Sequence, residues 1–243
     1  MHFRLPKPLH GWREFAGEVG IIVLGVLIAL GAEQVAESIQ ERGVTAQTRR
    51  DVRQEAAVDL AFVHGRLQEA PCVARRLDVL DSYVLHGPAG GSPLPAWIGR
   101  PSNLPIFVER WKAVTSSARS TLFSPTEQSI LDNMFAVFEQ FQDDENREQV
   151  AWTQIKLLER LRPPFDEQTR FKLLGALEEA RHEDYEIRVH GYYAVHAGRR
   201  LDIAPNMNYG AGSGPQEICL PMSMSPDKAQ RELRDDHLPG IVD

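Results

Sequence analysis

Apolar side chains are spread unevenly along the chain. From Val19 to Ala32 no charge appears, and only Gly and Ala interrupt a run of Ile, Val and Leu. At ~1.5 Å per residue those positions span about 21 Å, short of a roughly 30 Å hydrocarbon core. Extending the helix over Phe15, Ala16 and Gly17 and over Val35 and Ala36 gives a segment, 15–36, long enough to cross, with Glu18 and Glu33 near the two interfaces. Trp12 and Phe15 suit a headgroup-level aromatic belt. Two other readings use the same residues. A cleaved signal peptide would end at the small-x-small site Ala29-Leu30-Gly31, but the apolar face continues into Val35, Ala36 and Ile39. A core helix of a soluble domain would carry a polar stripe, and none exists between Val19 and Ala32. A single retained span is the expectation.

Beyond it the periodicity is helical. Residues 32–70 predict one continuous helix, bent at Gly43, with Val52, Ala56, Leu60, Val63 and Leu67 on its apolar face. Glu69-Ala70-Pro71-Cys72 is expected to end it. A second helix then follows over 73–85, with Leu77, Leu80, Val84 and Leu85. The Gly/Pro-dense stretch 86–105 predicts a loop that covers the core through Trp97 and Ile98. A short helix over 106–117 carries Phe107, Trp111 and Val114. Ser124-Pro125-Thr126-Glu127 is a capping box with Pro at the first helical position. The helix it opens buries Ile130, Leu131, Met134, Phe138 and Phe141. Gln142 to Gln149 is polar all round, which predicts a solvent-facing stretch or a break. Periodicity resumes at Trp152, Ile155, Leu158 and Leu161 and stops at Pro163-Pro164. Asp166 caps a last long helix through Phe171, Leu174, Leu177, Tyr185, Val189 and Tyr192 to about Gly198. The expected fold is mainly α. An N-terminal transmembrane helix continues into an antiparallel helical bundle over 37–205, and 206–243 form an irregular tail.

Charge adds orientation. Lys+Arg number 27 against 34 Asp+Glu, a formal net charge of −7 over 243 residues, which excludes nucleic acid as the main partner. Gly (18) and Pro (16) are at ordinary levels, so collagen-like and disordered classes are excluded too. The negative mean hydropathy of −0.32 blends a nearly charge-free helix with a polar body. Arg4, Lys7 and Arg13 precede the span, whereas Glu33, Glu37 and Glu41 follow it before Arg42. The positive-inside rule then places residues 1–14 in the cytoplasm and the body outside. Setting aside Arg4, Lys7, Arg13, Glu14 and Glu18 leaves −8 on residues 19–243. With so few residues ahead of the span, no cytoplasmic output domain is expected.

Within the span, Glu18, Gly25, Ala29 and Ala32 share one helical face, and Gly25-x-x-x-Ala29 would let two backbones approach. This predicts a homodimer through the membrane, unless Glu18 simply snorkels to the interface. The run GEVGIIVLGVLIALGAEQ, preceded by Trp12-Arg13-Glu14-Phe15, resembles the anchor of an uncharacterised bacterial family of single-span membrane proteins. Those proteins carry a Gly-Glu, Ile/Val-rich anchor ahead of a helical extracytoplasmic region. Pro71-Cys72 followed by Arg75-Arg76-Leu77, the Trp111 helix and Cys219-Leu220-Pro221 are similar to its proteobacterial members. The resemblance implies a bacterial inner-membrane protein with a periplasmic body; it carries over no activity.

The two cysteines, Cys72 and Cys219, are 147 residues apart. In an oxidising compartment they are expected to pair and to pin the tail onto the bundle; two unpaired thiols are the alternative. Metal-like spacing occurs in one place. Glu179-x-x-His182 has the E-x-x-H form of di-iron bundles, and Glu186 and His190 continue its face. No second E-x-x-H exists, so a solvated charged stripe is the simpler reading. Ser116-Ser117 lacks a G-x-S-x-G elbow and predicts local helix-end hydrogen bonds. Gly90-Gly91-Ser92 lacks the context of a phosphate loop. The aromatics Trp111, Phe135, Phe138, Phe141, Trp152, Phe171, Tyr192 and Tyr193 form the core or, alternatively, line an apolar pocket.

These features predict a membrane-anchored extracytoplasmic interaction or scaffold protein. It would bind the bilayer through 15–36 and some protein partner through its helices, with neither cofactor nor catalysis. The alternative is a ligand-binding or sensor-like module holding a small apolar molecule or a metal between helices.

Overall fold

The computed structural model describes residues 12–87, 97–117, 121–208 and 216–235, with the side chains of 12–14, 230 and 233–235 left aside. Arg4, Lys7 and Gly90-Gly91-Ser92 lie outside the described residues, as do the side chains of Trp12 and Arg13. Five α-helices follow one another: α1 (Trp12–His86), α2 (Glu109–Thr115), α3 (Pro125–Ile155), α4 (Glu167–Arg200) and α5 (Pro226–Asp235). Two 3-10 turns, Lys156–Glu159 and Glu217–Cys219, complete the order, and no strand occurs among the described residues. The protein is mainly α, as the periodicity predicts. It divides into two units, Met1–Arg49 and Arg50–Asp243.

In the first unit, α1 is a lone helix whose apolar side chains stay uncovered. An 18-residue window near the N-terminus has a mean hydropathy of 2.3, and none of it is buried. Among the described residues, one helix is therefore long and apolar enough to cross a membrane. Phe15, Ile21, Ile22, Leu24, Leu27, Ile28 and Leu30 are all exposed.

The second unit is a helical body in which the 50–86 stretch of α1 packs with α3 and α4. One apolar cluster joins Val52, Leu60 and Val63 to Trp111, Met134, Phe138, Phe141, Ile187 and Ala194. Another joins Val73, Leu77 and Leu80 to Trp152, Ile155, Leu177, Ala180 and Ile218. The first part of the 50–86 stretch meets the first half of α3 and late α4, so α4 is antiparallel to α3 while this stretch of α1 runs parallel to α3. Between α1 and α3, the described residues 97–117 include α2.

Several boundaries differ from the sequence reading. Pro71 sits inside α1 instead of ending it. Its ring costs one hydrogen bond and about 3 kcal/mol in a helix interior. Val73, Leu77 and Leu80, fully buried just beyond it, offset that cost by holding the helical course. The predicted helix over 106–117 contracts to α2, with Trp111 and Val114 buried and Phe107 exposed against Phe62. Ser124 caps α3 by accepting from the Glu127 N–H (3.2 Å), and Asp166 caps α4 by accepting from the Thr169 N–H (2.7 Å). The tail is not irregular throughout: it carries α5 and buries Ile218, Leu220 and Ala229. Trp97 and Ile98 are buried, as predicted.

Candidate functional site

Between the two apolar clusters lies a layer of buried charge. The predicted break at Gln142–Gln149 does not occur: α3 runs through it, and Asp144, Glu145 and Glu148 are buried. They face Arg66 and Glu69 of α1 and Glu183 and Asp184 of α4, all buried. The Arg66 Nη2 donates to both oxygens of Glu148 (2.8 Å each) and to Asp184 (3.2 Å). Trp152 Nε1 donates to Glu148 as well (3.3 Å), and the Ser102 N–H donates to Glu69 (2.8 Å). At the edge of the layer Arg147 bridges Asp144 and Glu183, and His190 pairs with Asp144.

Burial pushes the carboxyls of Glu69 and Glu148 upward even though Arg66 pulls both back down. Glu145 is held well above the ordinary carboxylate range, because burial and the neighbouring Glu148, Glu69 and Asp144 outweigh Arg66. Burial lowers the affinity of Arg66 for its proton, but the Glu148 and Asp184 charges more than compensate, so the guanidinium stays charged. The layer has more carboxyls than cations, and that imbalance adds to burial in raising Glu145. Lower in the body, burial raises Asp59 to about 8; one of its oxygens accepts from the Phe107 N–H (3.0 Å).

Chemically, this layer ties α1, α3 and α4 together through Arg66, Glu148 and Asp184. Among the described residues no three His, Cys, Asp or Glu converge as metal ligands. Glu179 and His182 are exposed, Glu186 and His190 are half-buried, and His190 turns to Asp144. The structure therefore gives the four-residue stripe no shared ligand position. Ser116 and Ser117 donate to the carbonyls of Ala113 and Val114, as a helix end predicts.

Cys72 and Cys219 are joined, with Cα atoms 5.1 Å apart. Arg76 reinforces the junction by donating to the Ile218 carbonyl (2.9 Å) and the Leu220 carbonyl, and its guanidinium lies 5.9 Å from the Trp97 ring. Burial lowers the Arg76 guanidinium to about 10.

The predicted aromatic core divides. Trp111, Phe135, Phe138, Phe141 and Trp152 are buried, but Phe171, Tyr192 and Tyr193 are exposed, as is Tyr185. The inner face of α4 is instead built from Leu173, Ala176, Leu177, Ala180, Ile187, Gly191 and Ala194, with Glu183 and Asp184 between them. Small residues here bring α4 close to α1: an added Cβ at Gly191 would sit 2.9 Å from Leu67, and at Gly198 2.6 Å from Leu60. The large aromatics are displaced to the outer face. There Tyr192 packs on Tyr193 and His196, and Arg188 lies over Tyr185. Surface grooves of about 460 and 470 Å³ flank this face, one beside Ile130 and Tyr193, the other beside Val150 and Phe171.

Glu18, Gly25, Ala29 and Ala32 are exposed on α1, and an added Cβ at Gly25 would meet nothing within 4 Å. No family model, curated protein or solved structure matches the chain.

Proposed function

We infer that the protein is a membrane-anchored interaction module: residues 15–36 sit in a bilayer, and the helical body works outside it by presenting surfaces to protein partners. The observation that carries this reading is the complete exposure of the most apolar stretch of the chain. A helix bearing Ile21, Ile22, Leu24, Leu27 and Ile28 with nothing packed on them needs a non-aqueous surrounding. The Cys72–Cys219 bridge favours an oxidising, extracytoplasmic side for the body, and the Lys/Arg asymmetry around the span agrees with it. The bacterial inner membrane and the periplasm follow from the resemblance of the anchor. Side chains such as Phe138, Phe141 and Trp152 fill the interior, which supports a scaffold over a small-molecule container. The face of Glu18, Gly25, Ala29 and Ala32 supplies a small-residue surface for pairing within the membrane.

Membrane retention tests the reading. The full chain should stay with membranes through alkaline carbonate extraction. Leu24→Arg with Leu27→Arg, each costing about 2.5–3.5 kcal/mol at mid-span, should release it. A native chain found wholly in the soluble fraction would contradict the anchor.

A further inference from the structure

The Cys72–Cys219 bridge joins two sulfurs in unlike surroundings, and we propose that it is an exchange site for a dithiol, attacked at Cys219. Cys219 is exposed, whereas Cys72 is half-buried on α1, so the Cys219 sulfur is the one open to an incoming thiolate. One turn beyond Cys72, the Arg75 Nη2 donates to the Cys72 Sγ (3.5 Å). When the bond opens, that guanidinium faces a thiolate, and a cation in that place lowers the thiol pKa. Exchange is faster when the departing sulfur is the one of lower pKa. Exposure and charge therefore agree: Cys219 is attacked and Cys72 departs. Carboxylates nearby are engaged elsewhere. Glu217 pairs with Lys156 (3.8 Å) and Arg100 (4.0 Å), and Glu69, one turn before Cys72, accepts from the Ser102 N–H (2.8 Å).

The step balances with the dithiol as reductant. Its first thiolate bonds to the Cys219 Sγ as the Cys72–Cys219 bond breaks. The electron pair leaves on the Cys72 Sγ, which takes a proton from water. The second thiolate of the dithiol then closes on the first sulfur, and Cys219 departs and is protonated in turn. The dithiol ends as a disulfide, and two electrons and two protons have passed to Cys72 and Cys219. Residues 216–220 form a strap that is then held by contacts alone. Arg76 donates to the Ile218 and Leu220 carbonyls, Ile218 is buried, and Lys156 faces Glu217. Redox state thus sets how firmly the strap is tied to the body. All of these groups belong to the Arg50–Asp243 unit, so the site is the same whether or not residues 15–36 hold a membrane.

The test uses the full chain in mild detergent, first with reduced glutathione, a monothiol that stops at the mixed disulfide. After brief exposure, acid quenching and alkylation, peptide mapping should find glutathione on Cys219 and a free thiol at Cys72, in about tenfold excess over the reverse. Reduction by dithiothreitol, followed by intact mass, should be severalfold slower in Arg75→Gln and recover in Arg75→Lys. Arg75 is exposed, so the melting temperature of the bridged form should not move. In a Cys219→Ser background, the pH at which Cys72 becomes reactive to iodoacetamide should rise when Arg75→Gln is added. Glutathione on Cys72, or equally on both cysteines, overturns the proposal, as does equal reduction of the native and Arg75→Gln chains. A bridge that resists the dithiol until the chain unfolds overturns it too, and so does a chain isolated with both thiols free. Membrane retention is read separately and is touched by none of these results.

Discussion

Arg66 and Glu148 form the central ion pair of the body, with one guanidinium nitrogen 2.8 Å from each carboxylate oxygen and both side chains within 1% of full burial. Removing one partner of such a pair leaves the other buried and uncompensated, at a cost of about 3–5 kcal/mol. Arg66→Met should therefore destabilise the body by about that amount in denaturant titrations. Arg66→Met with Glu148→Met should recover much of the loss, because both charges leave together. A double variant as unstable as the single would show that the layer is not organised around this pair.

The charge layer was legible in the sequence, though not by composition. Along α3, Phe138, Phe141, Glu145, Glu148, Trp152 and Ile155 keep one unbroken 3-4 spacing; along α4, Glu183 and Asp184 sit between Ala180 and Ile187 in the same way. On three helices a charge occupies a position that the stripe assigns to the core. Judging Gln142–Gln149 by its polarity alone hid this. What periodicity could not show is partnership, since Arg66 meets Glu148 across 82 residues.

A pH dependence follows from Asp59. The folded chain keeps its proton up to about pH 8, whereas an unfolded chain releases it near its ordinary value of 3.8. The folded state thus binds more protons between those values, and stability falls as pH rises through that window. Asp59→Asn removes the penalty and retains an oxygen for the Phe107 N–H. The variant should melt higher than the native protein by a margin that grows from pH 5.5 to pH 8.5, the two converging only as pH falls toward 3.8. Equal differences at both pH values would remove Asp59 as the cause.

The Cys72–Cys219 bridge closes a long loop, and chain-entropy reasoning sets its contribution at up to about 5 kcal/mol. Reduction, or Cys72→Ser with Cys219→Ser, should lower the melting temperature. Hydrogen exchange should also quicken around Glu217–Cys219, which Arg76, Lys156 and the buried Ile218 then hold without the covalent link. Peptide mapping without reductant should recover the two cysteines in one linked species. Two separate thiols in protein from its native membrane would rule the bridge out.

The outer face of α4 shows where periodicity misleads. Phe171, Tyr185 and Tyr192 recur at helical spacing and suggest a core, yet the buried stripe is built on Ala176, Ala180, Gly191 and Ala194. The close approach of α4 to α1 leaves little room for rings: an added Cβ at Gly198 would already push against the Leu60 side chain. Small residues marked the inner face, and the conspicuous aromatics marked the outer one. By contrast, both helix starts at Ser124 and Asp166 were fixed locally, by side chains that satisfy the first backbone N–H groups.

Amine labelling reads the sidedness of the span in one measurement. A membrane-impermeant amine reagent applied to intact cells, followed by peptide mapping, should modify Lys112 and Lys172, both exposed on the body. Lys7, on the other side of the span, should react only after the membrane is opened. Labelling of Lys7 in intact cells while Lys112 and Lys172 stay protected would contradict the orientation, and a mature chain beginning at Ala32 would contradict the retained anchor.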